Sequence, residues 1–217
     1  MFPPKCVFCK ELLPYTSNVD ICESCMGEVE YLTTSEKIHF SFILRKDDVC
    51  DDGICFFRYE NLIKDLITDY KFCDKPSYCK AIFLLMKPEL NIFFEERSLD
   101  YIIPIPLHSS RENERGYNQA EYIARLIAKE YIIPLEVNLV ERVKNTRPQS
   151  SLHRFTREEN IESAFKIKWE DAVRDKNIAI VDDVITTGTT AKELDRTFKK
   201  LGAKSVNLIV VATGKKL

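Results

Sequence analysis

Val181-Asp182-Asp183-Val184-Ile185-Thr186-Thr187-Gly188-Thr189-Thr190 is the stretch whose reading decides the fold. It follows the apolar run Ile178-Ala179-Ile180-Val181, which predicts a strand over Asn177–Val181 buried on both faces. A helix is read directly after it, over Thr189–Leu201. In open α/β sheets, ligands bind beyond the carboxyl ends of the strands, where such a strand–loop–helix places its polar groups. Loop N–H groups and a helix N-terminus attract anions, and threonine hydroxyls add donors. Gly188 permits a positive φ or the close backbone approach that a phosphate cradle needs. Two adjacent carboxylates would repel a phosphate, so Asp182 and Asp183 need another task. Accepting hydrogen bonds from ribose hydroxyls, or holding a Mg²⁺-bound water, suits them. An ordinary helix N-cap needs a single Asp or Thr. Here two acids, four threonines and a glycine fall within nine positions, which favours a sugar phosphate, and a pyrophosphate-bearing ribose above all.

Outward from this stretch the chain alternates strands and helices. Tyr101–Pro106 reads as a buried strand running into a loop, Asn118–Tyr131 as a helix, and Val206–Ala212 as another buried strand. Strands apolar on both faces, alternating with helices, imply an α/β fold whose parallel sheet is flanked by helices. Upstream, helices are predicted over Tyr59–Tyr70 and Ser77–Met86. Ile38–Leu44 is read as a short strand, and Asp47-Asp48 with Asp51-Asp52-Gly53 as a turn. Residues 143–160 lack periodicity and are read as a mobile loop.

The first 25 residues carry Cys6-x2-Cys9 and Cys22-x2-Cys25, with twelve residues between the pairs. Four thiolates complete the closed tetrahedron of a structural zinc site, although the spacer is slightly short for a zinc ribbon. A redox dithiol needs one such pair, not two. Cysteines 50, 55, 73 and 79 are irregularly spaced and are read as core thiols rather than a second site. The expected organisation is a small zinc module over residues 1–35 and an α/β domain over 36–217. Hydrophobic residues make up 45% and charged residues 30%, and the formal net charge is -2, which argues against a globally basic DNA-coating protein. The N-terminus shows no secretory pattern, and no apolar run approaches the ~20 residues of a membrane-spanning helix. A cytoplasmic chain with reduced thiols is expected.

Positive charge concentrates locally. Arg111 and Arg115 follow the Pro104-Ile105-Pro106 strand end, and residues 142–157 hold six basic side chains and no acid: Arg142, Lys144, Arg147, His153, Arg154 and Arg157. They suit either solvated surface or an anion-binding face for pyrophosphate or single-stranded nucleic acid. Arg111, Arg142, Lys144, Arg147, Arg154 and Arg157 are the candidates for nucleic-acid contact.

The segment around Asp182 resembles the phosphoribosyl-pyrophosphate (PRPP) motif of type I phosphoribosyltransferases. Five features in order extend the likeness over nearly the whole chain. They are the paired Cys-x2-Cys, Tyr70-Lys71-Phe72, Pro104-x-Pro106 with Arg115-Gly116-Tyr117-Asn118-Gln119, Thr146-x2-Gln149-x2-Leu152, and Asp182-Asp183-x2-Thr186-Thr187-Gly188-x-Thr190. This combination resembles the ComF (ComFC-like) competence proteins. That resemblance implies a cytoplasmic zinc-finger protein with a phosphoribosyltransferase-like domain, needed for natural transformation and handling incoming single-stranded DNA. A DNA-uptake or helicase protein at the inner face of the membrane is the implied partner. It further implies that Asp182 and Asp183 meet the ribose hydroxyls of Mg²⁺-PRPP while Thr186, Thr187, Gly188, Thr189 and Thr190 wrap the 5-phosphate. The loop Leu107–Arg115, with His108 and Arg115, would hold the pyrophosphate. Residues 143–160, with Lys144, would close as a lid. The alternative is an active phosphoribosyltransferase acting on an unknown acceptor. Such a reaction depends on positioning and charge stabilisation, so no residue is assigned a catalytic role.

Overall fold

Alternate residues of the two central strands feed two different cores, which is why both strands read as unbroken apolar runs. The computed structural model describes residues 3–17, 19–73, 76–107, 116–143 and 164–215, with the backbone alone for 71–73 and 76. Its elements are α1 (Glu23–Gly27), α2 (Thr34–Lys46), β1 (Asp52–Arg58), α3 (Asn61–Cys73), α4 (Pro76–Glu95), β2 (Tyr101–Pro104) and α5 (Gln119–Tyr131). Then follow β3 (Val140–Arg142), β4 (Phe165–Ile167), a 3-10 turn (Glu170–Val173), β5 (Asn177–Ile185), α6 (Thr189–Lys200) and β6 (Ser205–Thr213). The main sheet is parallel throughout, in the order β1-β6-β5-β2, and β3 pairs with β4 antiparallel in a separate ladder.

On β5, Ala179 and Val181 face a core shared with α3, α4, α5 and the N-terminal cysteine segment, while Ile178 and Ile180 face α2, α6 and the β3–β4 ladder. On β6, Ile209 and Val211 join the first core, and Val206, Leu208 and Val210 join the second. This period-two division covers both faces of the sheet, as expected of parallel strands linked by helices.

Four expectations change. Ile38–Leu44 lies in helix α2, not a strand. Thr33 caps it, its hydroxyl accepting from Glu36 N–H while the Glu36 carboxylate accepts from Thr33 N–H. That capping box starts a helix despite the aromatic and β-branched content downstream. Phe40 and Leu44, four residues apart, point into the core. Asp51-Asp52-Gly53 is not a turn. The turn falls at Asp47-Asp48, and Asp52 opens strand β1. Gly53 is there because α2 packs directly on the strand. A Cβ would lie 2.6 Å from Leu44 Cδ1 and 2.6 Å from Leu208 O. Helix α4 runs on past Met86 through Pro88 to Glu95, carried by the buried Leu90 and Phe93. Strand β5 does not stop at Val181, but pairs with β6 as far as Ile185↔Thr213. The other predicted helices and strands stand to within three residues at each end, and α1, β1, the β3–β4 ladder and the 3-10 turn are additions. The loop read over 143–160 lies, beyond Val143, outside the described residues.

The acids around β1 hold the sheet's lower end. Asp51 Oδ2 accepts from Val206 N–H at 2.7 Å and pairs with Lys199. Asp52 accepts from Ser41 and from Arg97 at 2.6 Å. Burial alone would raise the Asp52 carboxyl, but these donors and the Gly53 N–H hold it below its ordinary value. Among the described residues, no helix is long and apolar enough to cross a membrane.

Asp195 on α6 is different. It is 5% exposed, and its Oδ1 has no hydrogen-bond partner among the described residues. Burial, reinforced by the nearby Asp51 and Asp48, raises its carboxyl to about 7, against the pull of Lys199 and Arg196. The folded chain therefore keeps a proton that the unfolded chain releases near 3.8. This contribution to stability is full below that value and is lost as pH rises through about 7. Asp195→Asn removes the buried charge, so it should raise the melting temperature at pH 8 by about 2–4 °C per kcal/mol recovered, and much less at pH 4. Melting curves of both proteins across this range check it; an equal shift at every pH would contradict the assignment.

Candidate functional site

The β5–β6 ladder carries Asp182 and Asp183 to the top of the sheet as strand residues rather than loop residues. Asp182 pairs with Val210, and Val184 with Ala212. Each carboxylate also accepts from the next main-chain N–H, Asp182 from Asp183 at 2.9 Å and Asp183 from Val184 at 2.8 Å. Both are half-buried. Successive strand residues point to opposite faces, so the two acids are splayed by the strand geometry itself.

Beyond Ile185 the chain turns through Thr186 and Thr187 to Gly188, which has φ 80° and stands at the N-cap of α6. A side chain there is disfavoured by the left-handed backbone, although the space is adequate, with Ile185 and Val49 methyls 3.5 Å from an added Cβ. Thr186, Thr187 and Thr189 are exposed, and the Thr187 and Thr189 hydroxyls lie 2.9 Å apart. The first turn of α6 has no acid, and Lys199 and Lys200 occupy its last turn. The absence of an acid leaves the positive N-terminal end available to an anion, and the lysines complement the negative C-terminal end. Asp182, Val184, Ile185 and residues 186–191 line a cavity of about 50 Å³, phosphate-sized and lined with donors.

A second cavity of about 190 Å³ adjoins it, sharing Asp182, Val184 and Thr190. Its remaining walls include Ile105, Pro106, Leu107, Asn118, Gln119, Arg142 and Asp183. Asn118 caps α5, accepting from Ala120 N–H at 3.1 Å, and its Nδ2 donates to Ile105 O at 3.0 Å, tying the end of β2 to the start of α5. Gln119 is 1% exposed. Arg142 reaches the same cavity from β3, its guanidinium 5.7 Å from the ring of its cross-strand partner Phe165.

Of the predicted ligand residues, Asp182, Asp183, Thr186, Thr187, Gly188, Thr189 and Thr190 are thus brought together. His108, Arg115 and Lys144 lie outside the described residues, as do Arg111, Arg147, Arg154 and Arg157. Arg142, read from sequence as a nucleic-acid contact, lines the cavity that holds the paired acids. Gln119 was not singled out as a ligand residue. The Asn118-Gln119 pair, directly at a helix start after the β2 strand end, was the signal available for it.

Cys6, Cys9, Cys22 and Cys25 form the one cluster of metal-ligand type among the described residues, with all four Sγ atoms within 4.8 Å of one another. Cys9 Sγ and Cys22 Sγ are 3.7 Å apart. Tetrahedral ligation with Zn–S bonds of ~2.3 Å sets sulfurs about 3.8 Å apart, whereas a disulfide needs ~2.05 Å. The Cys22 N–H points to Cys6 Sγ at 3.4 Å, and the Cys25 N–H to Cys22 Sγ at 3.5 Å, as suits thiolate ligands. Burial works against ionisation of Cys6, yet N–H donors from Cys22, Cys9 and Phe8 bring its thiol down to about 7. The cluster fits a metal such as zinc. With four protein ligands the ion would be closed to substrate. Cys50, Cys55 and Cys79 are buried core thiols; the Cys73 side chain lies outside the description.

Residues 118–216 match the phosphoribosyl transferase domain family. The chain is 28% identical over 192 residues to competence protein F of Haemophilus influenzae, covering 86% of this chain and 82% of that protein. It is 29% identical over 162 residues to competence protein ComFC of Streptococcus pneumoniae, covering 72% and 68%. It is 30% identical over 148 residues to the DNA utilization protein YhgH of Escherichia coli O157:H7, covering 66% of this chain and 63% of that protein, under two thirds of its length. Among solved structures, a purine phosphoribosyltransferase from Pyrococcus horikoshii aligns with TM-score 0.39 and 20% identity, over 64% of this chain and 76% of that one.

Gly188→Ala should cost about 1–2 kcal/mol through the left-handed backbone and lower the melting temperature. It should also weaken binding of ribose 5-phosphate in a calorimetric titration. Gly27→Ala meets nothing within 4 Å and serves as the control that leaves both unchanged.

Proposed function

We propose, because the chain belongs to the ComF family and carries a phosphoribosyltransferase domain, that it is a DNA-uptake factor of natural transformation. In this reading it handles incoming single-stranded DNA in the cytoplasm and binds Mg²⁺-PRPP as ligand or regulator. Residues 1–35 serve as the metal module and 36–217 as the ligand domain. The observation that carries the ligand assignment is the pair of adjoining cavities with Asp182 between them, one walled by threonines and a helix N-terminus, the other by carboxylates and Arg142.

The 5-phosphate belongs in the threonine cradle, where N–H groups and hydroxyls meet it. The ribose hydroxyls belong at Asp182 and Asp183, whose remaining lone pairs accept from them. The pyrophosphate then extends toward Leu107 and Arg142, and onward to His108, Arg115 and Lys144. Magnesium, when bound, supplies charge neutralisation between the pyrophosphate and the acids, and the half-buried carboxylates suit water-mediated ligation of it. Single-stranded DNA belongs on the basic residues Arg111, Arg142, Lys144, Arg147, Arg154 and Arg157. A DNA-uptake or helicase protein at the inner face of the membrane is the proposed protein partner.

The second reading is an active phosphoribosyltransferase that passes ribose 5-phosphate from PRPP to an acceptor. The unaltered acid pair and threonine cradle favour it, since charge stabilisation of an oxocarbenium-like ribose needs little more than positioning.

Titrating PRPP and single-stranded DNA separately and together on one purified protein tests the proposal. PRPP should bind only with Mg²⁺, and Asp183→Asn should weaken it about 10-fold, or by about 1.4 kcal/mol. Single strands should bind with an affinity that falls about 10-fold or more between 50 and 200 mM salt, and Arg147→Glu with Arg154→Glu should abolish most of it. DNA affinity indifferent to those reversals would sink the DNA surface. Pyrophosphate release from PRPP on addition of an acceptor, lost in Asp182→Asn, would decide for the enzyme.

A further inference from the structure

Lys10 lies in sequence between the two Cys-x2-Cys pairs and gives the module a polar link to α3 and α4 beside its apolar contacts. Its backbone is left-handed at φ 65°, and its N–H donates to Cys6 O at 3.0 Å, so the residue belongs to the knuckle itself. Its side chain leaves the knuckle. Nζ donates to Val7 O at 2.6 Å, to the Tyr78 hydroxyl at 2.6 Å and to Asp69 Oδ2 at 3.3 Å. Asp69 is on α3 and Tyr78 on α4, so one ammonium clamps both helices.

The next residue along each helix points inward. Tyr70 follows Asp69 and Cys79 follows Tyr78, both are 1% exposed, and the Cys79 thiol lies beside the Tyr70 hydroxyl. That hydroxyl donates to Gln119 O at 2.9 Å. Tyr117 donates its own hydroxyl to Tyr70 O, and the two rings stand 5.7 Å apart. Gln119 is the first residue of α5 and a wall of the 190 Å³ cavity. Asp69 and Tyr78 thus hold the cysteine knuckle, and Tyr70, with Cys79 beside it, holds the cavity wall at Gln119. Two residues adjacent on a helix cannot shift independently. A knuckle that let go of Lys10 would release Asp69 and Tyr78, the neighbours of Tyr70 and Cys79.

We propose that Lys10 and Tyr70 are positioning residues that link metal occupancy of the four-cysteine cluster to ligand affinity in the Asp182/Asp183 pocket. The proposal rests on the pocket being the PRPP site, and it adds that the metal module acts on that site through α3 and α4. Linkage is reciprocal, so bound ligand must tighten the metal by the same factor.

The test uses the zinc-loaded full chain as wild type, Lys10→Met, Lys10→Arg and Tyr70→Phe. Lys10→Met keeps the apolar stem and loses the cation. Tyr70→Phe keeps the buried ring and loses only the hydroxyl. Metal content per chain is measured first, and Mg²⁺-PRPP is then titrated calorimetrically. Lys10→Met and Tyr70→Phe, with zinc retained, should each weaken PRPP about fivefold or more, and the double variant by less than the product of the two. Lys10→Arg should recover most of the affinity. Chelator competition should show PRPP raising zinc affinity in wild type and not in Tyr70→Phe. A ligand-free arm follows amide hydrogen exchange at residues 119–123, which should speed up in Lys10→Met and on zinc removal. Unchanged PRPP affinity in zinc-loaded Lys10→Met and Tyr70→Phe overturns the proposal. If wild type fails to bind PRPP, the pocket reading falls by itself. The exchange arm then still decides the link: faster exchange at 119–123 supports it and unchanged exchange overturns it.

Discussion

The constraint on which the site depends is the unbroken parallel ladder between β5 and β6. It continues past the last apolar residue, Val181, to Ile185↔Thr213, so two acids stay in strand geometry at the top of the sheet. A strand carries its side chains alternately to either face. The same register that sends Ile178 and Ile180 into one core and Ala179 and Val181 into the other also splays Asp182 from Asp183. Had the ladder ended at Val181, both carboxylates would sit on a free loop, able to approach each other and the phosphate cradle. Held in register, they keep their charge spread and their lone pairs aimed at different parts of one pocket.

How far sequence reasoning reached follows from the range of the interactions involved. Strands β5, β6 and β2 and helices α5 and α6 were legible because burial on both faces and helical periodicity are written locally. The threonine cradle was legible because Gly188 and its neighbours do their work within a few residues of chain. The failures are tertiary. Gly53 looked like a turn residue because its purpose, letting Leu44 of α2 lie against the strand, is invisible without α2 in place. Ile38–Leu44 looked like a strand because its composition is strand-like, while the helix is started from outside it by Thr33 and Glu36. Arg142 was read as a nucleic-acid contact, not a pocket residue, because nothing in sequence reveals that β3 and β4 bring it over Phe165 and to the cavity.

Charge around the pocket is arranged so that each anion has its own neighbourhood. The cradle is neutral in side chains and positive only through main-chain N–H groups and the helix dipole, which suits a terminal phosphate. The acid pair stands one step away, with Arg142 on the opposite wall. The Arg142 guanidinium lies 5.7 Å from the Phe165 ring, a cation–π distance, on the wall facing the paired acids. The two cavities together thus combine carboxylates, a cation and a helix N-terminus.

The cysteine module then takes a different meaning from that of an appended finger. Its buried side chains Cys6, Val7, Leu13, Ile21 and Cys25 belong to the same hydrophobic cluster as Tyr70, Tyr78, Ile82 and Ile123. A module that exists only to touch another molecule has no reason to share a core with the helices beneath a ligand pocket. Sharing it means that the free energy of metal binding is spread into α3 and α4, since a closed tetrahedral site folds the segment around it. Among the described residues, α3 meets the pocket wall through the Tyr70 hydroxyl, which donates to Gln119 O. Tyr70 and Tyr117 each donate a hydroxyl in this layer to a main-chain carbonyl of another segment, that of Gln119 and that of Tyr70. Displacing one leaves another buried without its hydrogen bond, at a cost of about 1–3 kcal/mol. A cost of that size, carried by neighbouring residues on α3 and α4, is what a link between the cysteine cluster and the pocket would require without any large movement of the sheet.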